Sequence, residues 1–429
     1  MESNDMEVKR DRYLGRLIGR KWNGSVKVVT GIRRCGKTYL LFTLFKNHLL
    51  SEGVRSDNII ELALDDIKNK GLRDPYALYS KIIELAGNDS EKYYVLIDEI
   101  QYVKDFEDVI NGLRHMPNLD IYVTGSNSKF LSTDILTEFR GRGDEVRVRP
   151  LSFSEFSSAF AEKGEEIWKL YMTFGGMPEL LVKKNDEQRA AYLQNLFKAV
   201  YLKDIFERNK IKLEDEMNLI IDTLCSSIGS LTNPTRISNT LRTSGHRAVS
   251  DDTVNKYLEI LKESFLFDKA QRYDVKGRKY LDTPCKYYAA DVGLRNARLN
   301  FRQQEPTHIM ENIIYNELMS RGYSVDVGVV ESRVFNDGES EYNRLEIDFV
   351  VNKMDLRYYI QSAYGTPSGE KREQELRPFT KVSDSFRKIL IVSDDVRPWM
   401  DDNGIITIGI RQFLLDENSL DKPPSEPGE

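Results

Sequence analysis

The run Gly31-Ile32-Arg33-Arg34-Cys35-Gly36-Lys37-Thr38 constrains this chain more than any other feature, because it sits between the strand-like Val26–Thr30 and the helical pattern Tyr39–Leu50. Strand, G-x-x-x-x-G-K-T loop and helix in that order form a phosphate cradle. Glycines let the backbone wrap close to phosphate oxygens, and the amides at the helix N-terminus supply positive potential. Lys37 is expected to neutralise phosphate charge and Thr38 to ligate Mg²⁺. All eight residues, Gly31 to Thr38, are candidates for the Mg-ATP site.

Tyr93–Ile97 is a wholly apolar strand-like run that ends in Asp98-Glu99. Alone, such a pair is more often a helix N-cap. Downstream of a phosphate loop, Asp98 is expected to hold the Mg²⁺ hydration shell and Glu99 to orient and deprotonate the attacking water. The next strand, Ile121–Thr124, exits through Gly125-Ser126-Asn127-Ser128, where Thr124 or Asn127 is the candidate contact to the γ-phosphate or water; an ordinary polar turn is the rival reading. Arg140 and Arg142 are candidate arginine fingers toward a neighbouring subunit's phosphate, against the alternative of a solvated charge pair.

Five strand-like runs, Val26–Thr30, Ile59–Leu64, Tyr93–Ile97, Ile121–Thr124 and Val146–Val148, alternate with helical patterns, which predicts an α/β fold with a parallel sheet covered by helices on both faces. Tyr13, Leu14, Leu17, Ile18 and Trp22 predict a helix packed on that body. Later segments read as a helical lid at 150–211, a winged helix at 212–298, a separate α/β domain at 308–415 and a disordered tail at 416–429. With 429 residues, 40% hydrophobic and 30% charged, the chain has room for several cores. The net charge of -6 gives no global basic field, so nucleic-acid contact would need local patches. No leader-like h-region or membrane-length apolar run is visible, and three widely spaced cysteines fit a reducing compartment, so a cytoplasmic protein without membrane contact is expected.

The succession Gly31–Thr38, Leu96–Gln101, Thr124-Gly125-Ser126, Gly141-Arg142, Pro150–Phe153, Gly175-Gly176-Met177-Pro178 and Tyr201–Ile205 resembles the prokaryotic AAA-type ATPases, and among them a group with a carboxy-terminal restriction-endonuclease-like domain. The resemblance implies that the Thr124 strand is inserted between the phosphate-loop strand and the Asp98 strand, with a winged-helix middle and a nuclease-like end. In the winged helix, Pro234–Thr243 and Asp251–Glu263 would form the helix pair, although Asp251 and Asp252 at the second helix's start repel DNA. The wing segment Lys269–Lys286 carries six basic residues (Lys269, Arg272, Lys276, Arg278, Lys279 and Lys286) against Asp274 and Asp282, so DNA contact through Lys276, Arg278 and Lys279 stands beside packing or a protein partner.

The nuclease-like pattern is Glu311, Asp348 and the strand Arg357–Gln361. Gln361 stands where an acid is usual and Ala363 where a lysine is usual, with Lys371, Arg372, Glu373 or Glu375 as possible substitutes, so a degenerate nuclease fold is expected. The main expectation is an ATPase, able to form oligomers, that couples nucleotide state to movement of these domains on or near DNA. The alternatives are a nucleotide-controlled switch for a protein partner and an ATP-dependent nuclease.

Overall fold

The computed structural model describes residues 8–87, 91–126, 143–160, 164–243, 249–336 and 339–422. The chain divides into two compact units, residues 1–150 with 263–265 and residues 151–262 with 266–429.

The first unit is built on a five-stranded sheet of β1 (Val26–Thr30), β2 (Ile59–Ala63), β3 (Tyr93–Asp98), β4 (Leu119–Gly125) and β5 (Gly143–Arg147), in the order β2-β3-β4-β1-β5 with every pairing parallel. β1, β3 and β4 are buried along their whole length, as near-continuous apolar runs must be when helices cover both faces. β4, which carries Thr124, lies between β1 and β3 as expected. Parallel pairing brings the carboxyl ends of these three strands, Thr30, Asp98 and Thr124, to one edge, where open α/β sheets bind ligands.

The helix α1 (Asp11–Ile18) buries Tyr13 and Leu17, while Trp22 lies beyond it in the left-handed region, φ 57°. The helix after the phosphate loop, α2 (residues 37–51), changes to π-helical winding over Leu40–Phe45. α3 (Pro75–Ala86) begins with Asp74 capping the Ala77 amide and proline in its first turn, and α4 (Phe106–Leu113) turns Phe106, Val109, Ile110 and Leu113 inward. Between β1 and β4, Lys27 is fully buried and paired with Asp120, which also accepts from the Tyr122 hydroxyl (2.9 Å) and the Trp22 amide (3.1 Å).

The second unit opens with helices. α5 (Phe153–Ser158) carries a complete capping box of Ser152 and Glu155. α6 (Glu165–Phe174), α7 (residues 186–209), α8 (Glu214–Ser226), α9 (Pro234–Thr243), α10 (Asp251–Glu263) and α11 (Val292–Arg298) follow, and α12 (Pro306–Ser320), α13 (Gly369–Thr380) and α14 (Ile410–Leu415) pack with the strands. Phe153 and Phe156 are buried. An eight-stranded sheet runs in the order β12 (Trp399–Met400), β13 (Ile405–Gly409), β11 (Arg387–Val392), β10 (Leu356–Ala363), β9 (Glu339–Lys353), β8 (Ser324–Asn336), β6 (Phe267–Asp274), β7 (Lys279–Ala289).

Two features of this unit differ from the expectation. The hairpin read as the wing of 212–298 joins the strands read as a separate domain at 308–415, because Arg272–Asp274 pair in parallel with Val327–Val329. One sheet crosses the expected boundary. Residues 416–422 of the expected disordered tail are docked, with Leu420 buried, the Leu420 carbonyl accepting from Arg387 (2.9 Å) and the Glu417 carbonyl accepting from Arg321 (3.1 Å). A single apolar anchor and two arginines order a segment that its composition describes as polar.

The turn Gly175–Pro178 meets the start of α11 backbone to backbone. Asp291 is buried, caps α11 by accepting from Leu294 N (3.0 Å), and also accepts from Gly176 N (2.7 Å). A Cβ on Gly293 would lie 1.8 Å from the Phe174 carbonyl oxygen. Gly293→Ala should therefore lower stability by about 2–3 kcal/mol, read as a shift in urea midpoint. Burial pushes the Asp291 carboxyl up to about 6, against three backbone amides that favour its ionised form. A carboxyl whose folded pKa lies above its unfolded value contributes stability below the unfolded pKa and loses it as pH rises through the folded one. Between about pH 4 and pH 6 this group should cost roughly 3 kcal/mol as it ionises. Asp291→Asn should remove that slope from a pH series of urea melts; equal slopes in variant and wild type would contradict it.

Candidate functional site

The phosphate loop is fixed from three sides. β1 delivers the chain into Gly31, whose φ is 143° and whose place admits no side chain, since a Cβ would lie 2.1 Å from the Val148 carbonyl oxygen. The buried Cys35 donates its thiol to that same oxygen at 3.4 Å. Arg10, also buried, donates to the carbonyls of Cys35 (2.9 Å) and Arg149 (2.7 Å), tying the loop to the segment after β5. Gly36 at φ 97° turns the chain into α2, whose first amides lack partners within the helix.

Within the loop, Ile32 and Cys35 point into the core, so only their backbone groups could meet a phosphate. Arg33 is half-buried and donates from Nε to Ser126 Oγ (3.3 Å), while Arg34 is exposed with φ 62°. Lys37 is buried and its Nζ donates to the carbonyls of Gly31 (3.0 Å) and Ile32 (3.1 Å), which places the ammonium inside the curve of the loop.

Asp98 and Glu99 leave β3 side by side and do different things. Asp98 is buried; Oδ2 accepts from Thr38 Oγ1 at 2.8 Å and Oδ1 accepts from Thr124 Oγ1. Burial pushes its carboxyl pKa up, while the hydroxyls of Thr124 and Thr38 favour the ionised form. Oxygen donors from a buried carboxylate and a threonine suit Mg²⁺, which binds through one or two such protein groups together with phosphates and water. Asp98 and Thr38 therefore fit the ion.

Glu99 adopts the left-handed region, φ 54°, a conformation that non-glycine residues hold at some cost and that concentrates at functional sites. Its amide donates to Thr124 Oγ1 (3.0 Å), and its carboxylate accepts from Ser126 Oγ (3.0 Å) and from Gln101. Thr124 thus bridges the two acids. Ser126 links Glu99 to Arg33. A carboxylate oriented in this way can receive a proton from a water, and the neighbouring ammonium and amides can bear phosphate charge. Asn127, Arg140 and Arg142 lie outside the described residues.

Sequence reading missed Arg10, Ser126 and Gln101 as parts of this arrangement. Gln101, two residues past Glu99, and Ser126, two past Thr124, were visible as polar residues at strand exits; Arg10 had no signal, since its partners are carbonyls 25 and 139 positions away.

A second charged centre lies in the other unit. Glu311 on α12 and Asp348 on β9 both face Lys286 of β7. Lys286 Nζ lies 2.9 Å from Glu311, 2.8 Å from Glu346 and 3.7 Å from Asp348. Gln361 turns its Oε1 to the Asp348 amide at 3.3 Å. Ala363 is buried in the apolar core of the sheet, Arg372 pairs with Asp401 (3.1 Å), Lys371 and Glu373 are exposed and Glu375 is half-buried. Burial disfavours the Lys286 ammonium, yet Glu311, Asp348 and Glu346 outweigh it and hold its pKa above the ordinary value. Burial, then the charge of Glu311, raises the Asp348 carboxyl.

The basic count of the wing changes with this. Arg272 and Lys286 are buried and Lys269 is half-buried, leaving Lys276, Arg278 and Lys279 exposed at the turn. Asp251 and Asp252 are exposed at the start of α10. A lysine inside the run Cys285–Ala290, otherwise apolar, was the available sign that Lys286 faces inward.

Residues 23–157 match the family model described as an AAA domain, and residues 165–305 match one described as a domain of unknown function. An uncharacterized protein of Haemophilus influenzae is 35% identical over 389 residues, 90% of this chain and 93% of that protein. An uncharacterized protein of Methanocaldococcus jannaschii is 25% identical over 396 residues, 89% of this chain and 81% of that protein. Among solved structures, the Aeropyrum pernix ORC2 protein in its ADPNP–ADP complexes is similar at 11% identity with a TM-score of 0.41, over 73% of this chain and 97% of that one. No described helix is long and apolar enough to cross a membrane. Residues 23–157 thus resemble an AAA domain, and the chain belongs to the family of the Haemophilus influenzae protein.

Proposed function

We propose that this chain binds Mg-ATP at the loop Gly31–Thr38 and hydrolyses it, with Glu99 as the base toward the attacking water. The observation that carries this reading is the linkage of Thr38, Asp98, Thr124 and Glu99 through hydrogen bonds at one sheet edge. Lys37 and the amides at the start of α2 bind phosphate oxygens; Thr38 and Asp98 hold Mg²⁺, which supplies charge neutralisation at the phosphates when bound. Ser126 and Gln101 orient the Glu99 carboxylate, which takes the proton from water as its oxygen attacks the γ-phosphorus, with ADP leaving. The nucleotide cycle then changes the state of the helical and sheet-forming segments that follow, acting on DNA through the exposed turn of Lys276, Arg278 and Lys279.

A second reading has its own support. Exposed Asp251 and Asp252 on α10, with Arg272 and Lys286 buried, weaken the basic surface and favour a switch directed at a protein partner.

Steady-state ATP hydrolysis by wild type and Glu99→Gln, with and without duplex and single-stranded DNA, tests both. Turnover should fall by about 10²–10⁴-fold in Glu99→Gln while nucleotide binding persists. DNA stimulation of the wild type supports the DNA reading; Glu99-dependent turnover that ignores DNA turns the account to a protein target. Turnover unchanged in Glu99→Gln removes Glu99 from its assigned role.

A further inference from the structure

The carboxylates that resemble a nuclease site are gathered by three separate elements. Glu311 comes from α12, Glu346 and Asp348 from β9, and the ammonium between them from β7. Lys286 is 3% exposed, so it has exchanged hydration for protein oxygens almost completely. Two of its three N–H donors have carboxylate oxygens at hydrogen-bond distance, 2.8 and 2.9 Å. These separations suit an ammonium, whereas carboxylate oxygens around Mg²⁺ or Mn²⁺ stand much closer to the ion, about 2.0–2.2 Å.

Two of the three carboxylates have partners besides the lysine. Glu311 Oε1 accepts from the Tyr288 hydroxyl at 2.7 Å, and Tyr288 itself stacks on Tyr315 of α12 with ring centroids 4.2 Å apart. Asp348 Oδ2 accepts from the Ser362 amide at 2.8 Å. Glu311 and Asp348 are therefore held in place by neighbours other than the lysine, and the lysine supplies cationic charge between them and Glu346. Removing one partner of a buried charge group leaves the others uncompensated and is strongly destabilising.

We infer that this centre is closed by its own cation: the Lys286 ammonium occupies the place among Glu311, Glu346 and Asp348 that a divalent metal would take, so the wild-type chain carries no metal there, and removal of that ammonium opens the site to one. The site is then a structural tie between β7, α12 and β9 and not a metal-dependent nuclease centre. This inference is independent of the ATPase reading, because the residues and the readout are separate from the nucleotide site.

The test is a Mn²⁺ titration of the nucleotide-free full-length chain, following the free-ion signal by electron paramagnetic resonance. Wild type should bind no Mn²⁺ that depends on Glu311, whereas Lys286→Met should bind about one Mn²⁺ at least tenfold more tightly, and Lys286→Met/Glu311→Gln should lose it. Lys286→Met should also melt below wild type and recover on adding Mn²⁺, while Lys286→Met/Glu346→Gln/Asp348→Asn, relieved of repulsion, should melt nearer wild type without responding to Mn²⁺. Binding of Mn²⁺ by wild type that Glu311→Gln abolishes would overturn the inference, as would a folded Lys286→Met that takes no metal. Should Lys286→Met fail to fold with or without Mn²⁺, the wild-type and Glu311→Gln titrations decide it alone.

Discussion

The Asp98 carboxylate, shared between the hydroxyls of Thr38 and Thr124, is the constraint on which the first unit depends. It ties the helix after the phosphate loop to β3 and β4, and Thr124 carries the link onward to the Glu99 amide. A carboxylate in that position is costly, since burial disfavours its charge. The parallel order β3-β4-β1 makes the arrangement possible, because it sets the exits of the acid strand, the threonine strand and the loop strand next to one another. With β4 elsewhere in the sheet, Thr124 would not reach either acid.

Two acidic centres among the described residues obey one electrostatic rule and satisfy it in opposite ways. Around Asp98 the influences are burial, two hydroxyls and the further carboxylates Glu99 and Asp65, none of them a cation. Lys37 spends its hydrogen bonds on the loop carbonyls of Gly31 and Ile32. Such a centre suits a cation that arrives with the substrate. Around Glu311, Glu346 and Asp348 the cation belongs to the chain, as Lys286. A buried group of acids needs positive charge from somewhere, and its source separates an exchangeable site from a structural tie.

What was legible in the sequence was local or set by a short motif. The strand–loop–helix at 26–51, the apolar strand ending in Asp98-Glu99 and the threonine strand all carry their meaning within a few residues, and the sheet order followed from resemblance. What was not legible depended on partners distant in the chain. Arg10 reaches carbonyls that carry no side-chain signature, and the pairing of Arg272–Asp274 with Val327–Val329 joins two segments whose individual patterns read as separate domains. Lys286 reads as a surface cation from its charge alone, and its burial is set by the strand that carries it. Leu420 is a lone apolar residue in a polar tail, and its docking is shared with Arg321 and Arg387, which lie far from it in the chain.

The most direct measurement is equilibrium binding of a fluorescent ATP analogue to wild type and Lys37→Ala, each with and without Mg²⁺. The account predicts saturable binding by wild type that Mg²⁺ strengthens, and a loss of at least tenfold in affinity when the ammonium at the loop is removed. Binding that is absent from the wild type, or that Lys37→Ala leaves unchanged, would contradict the assignment of this loop as the nucleotide site.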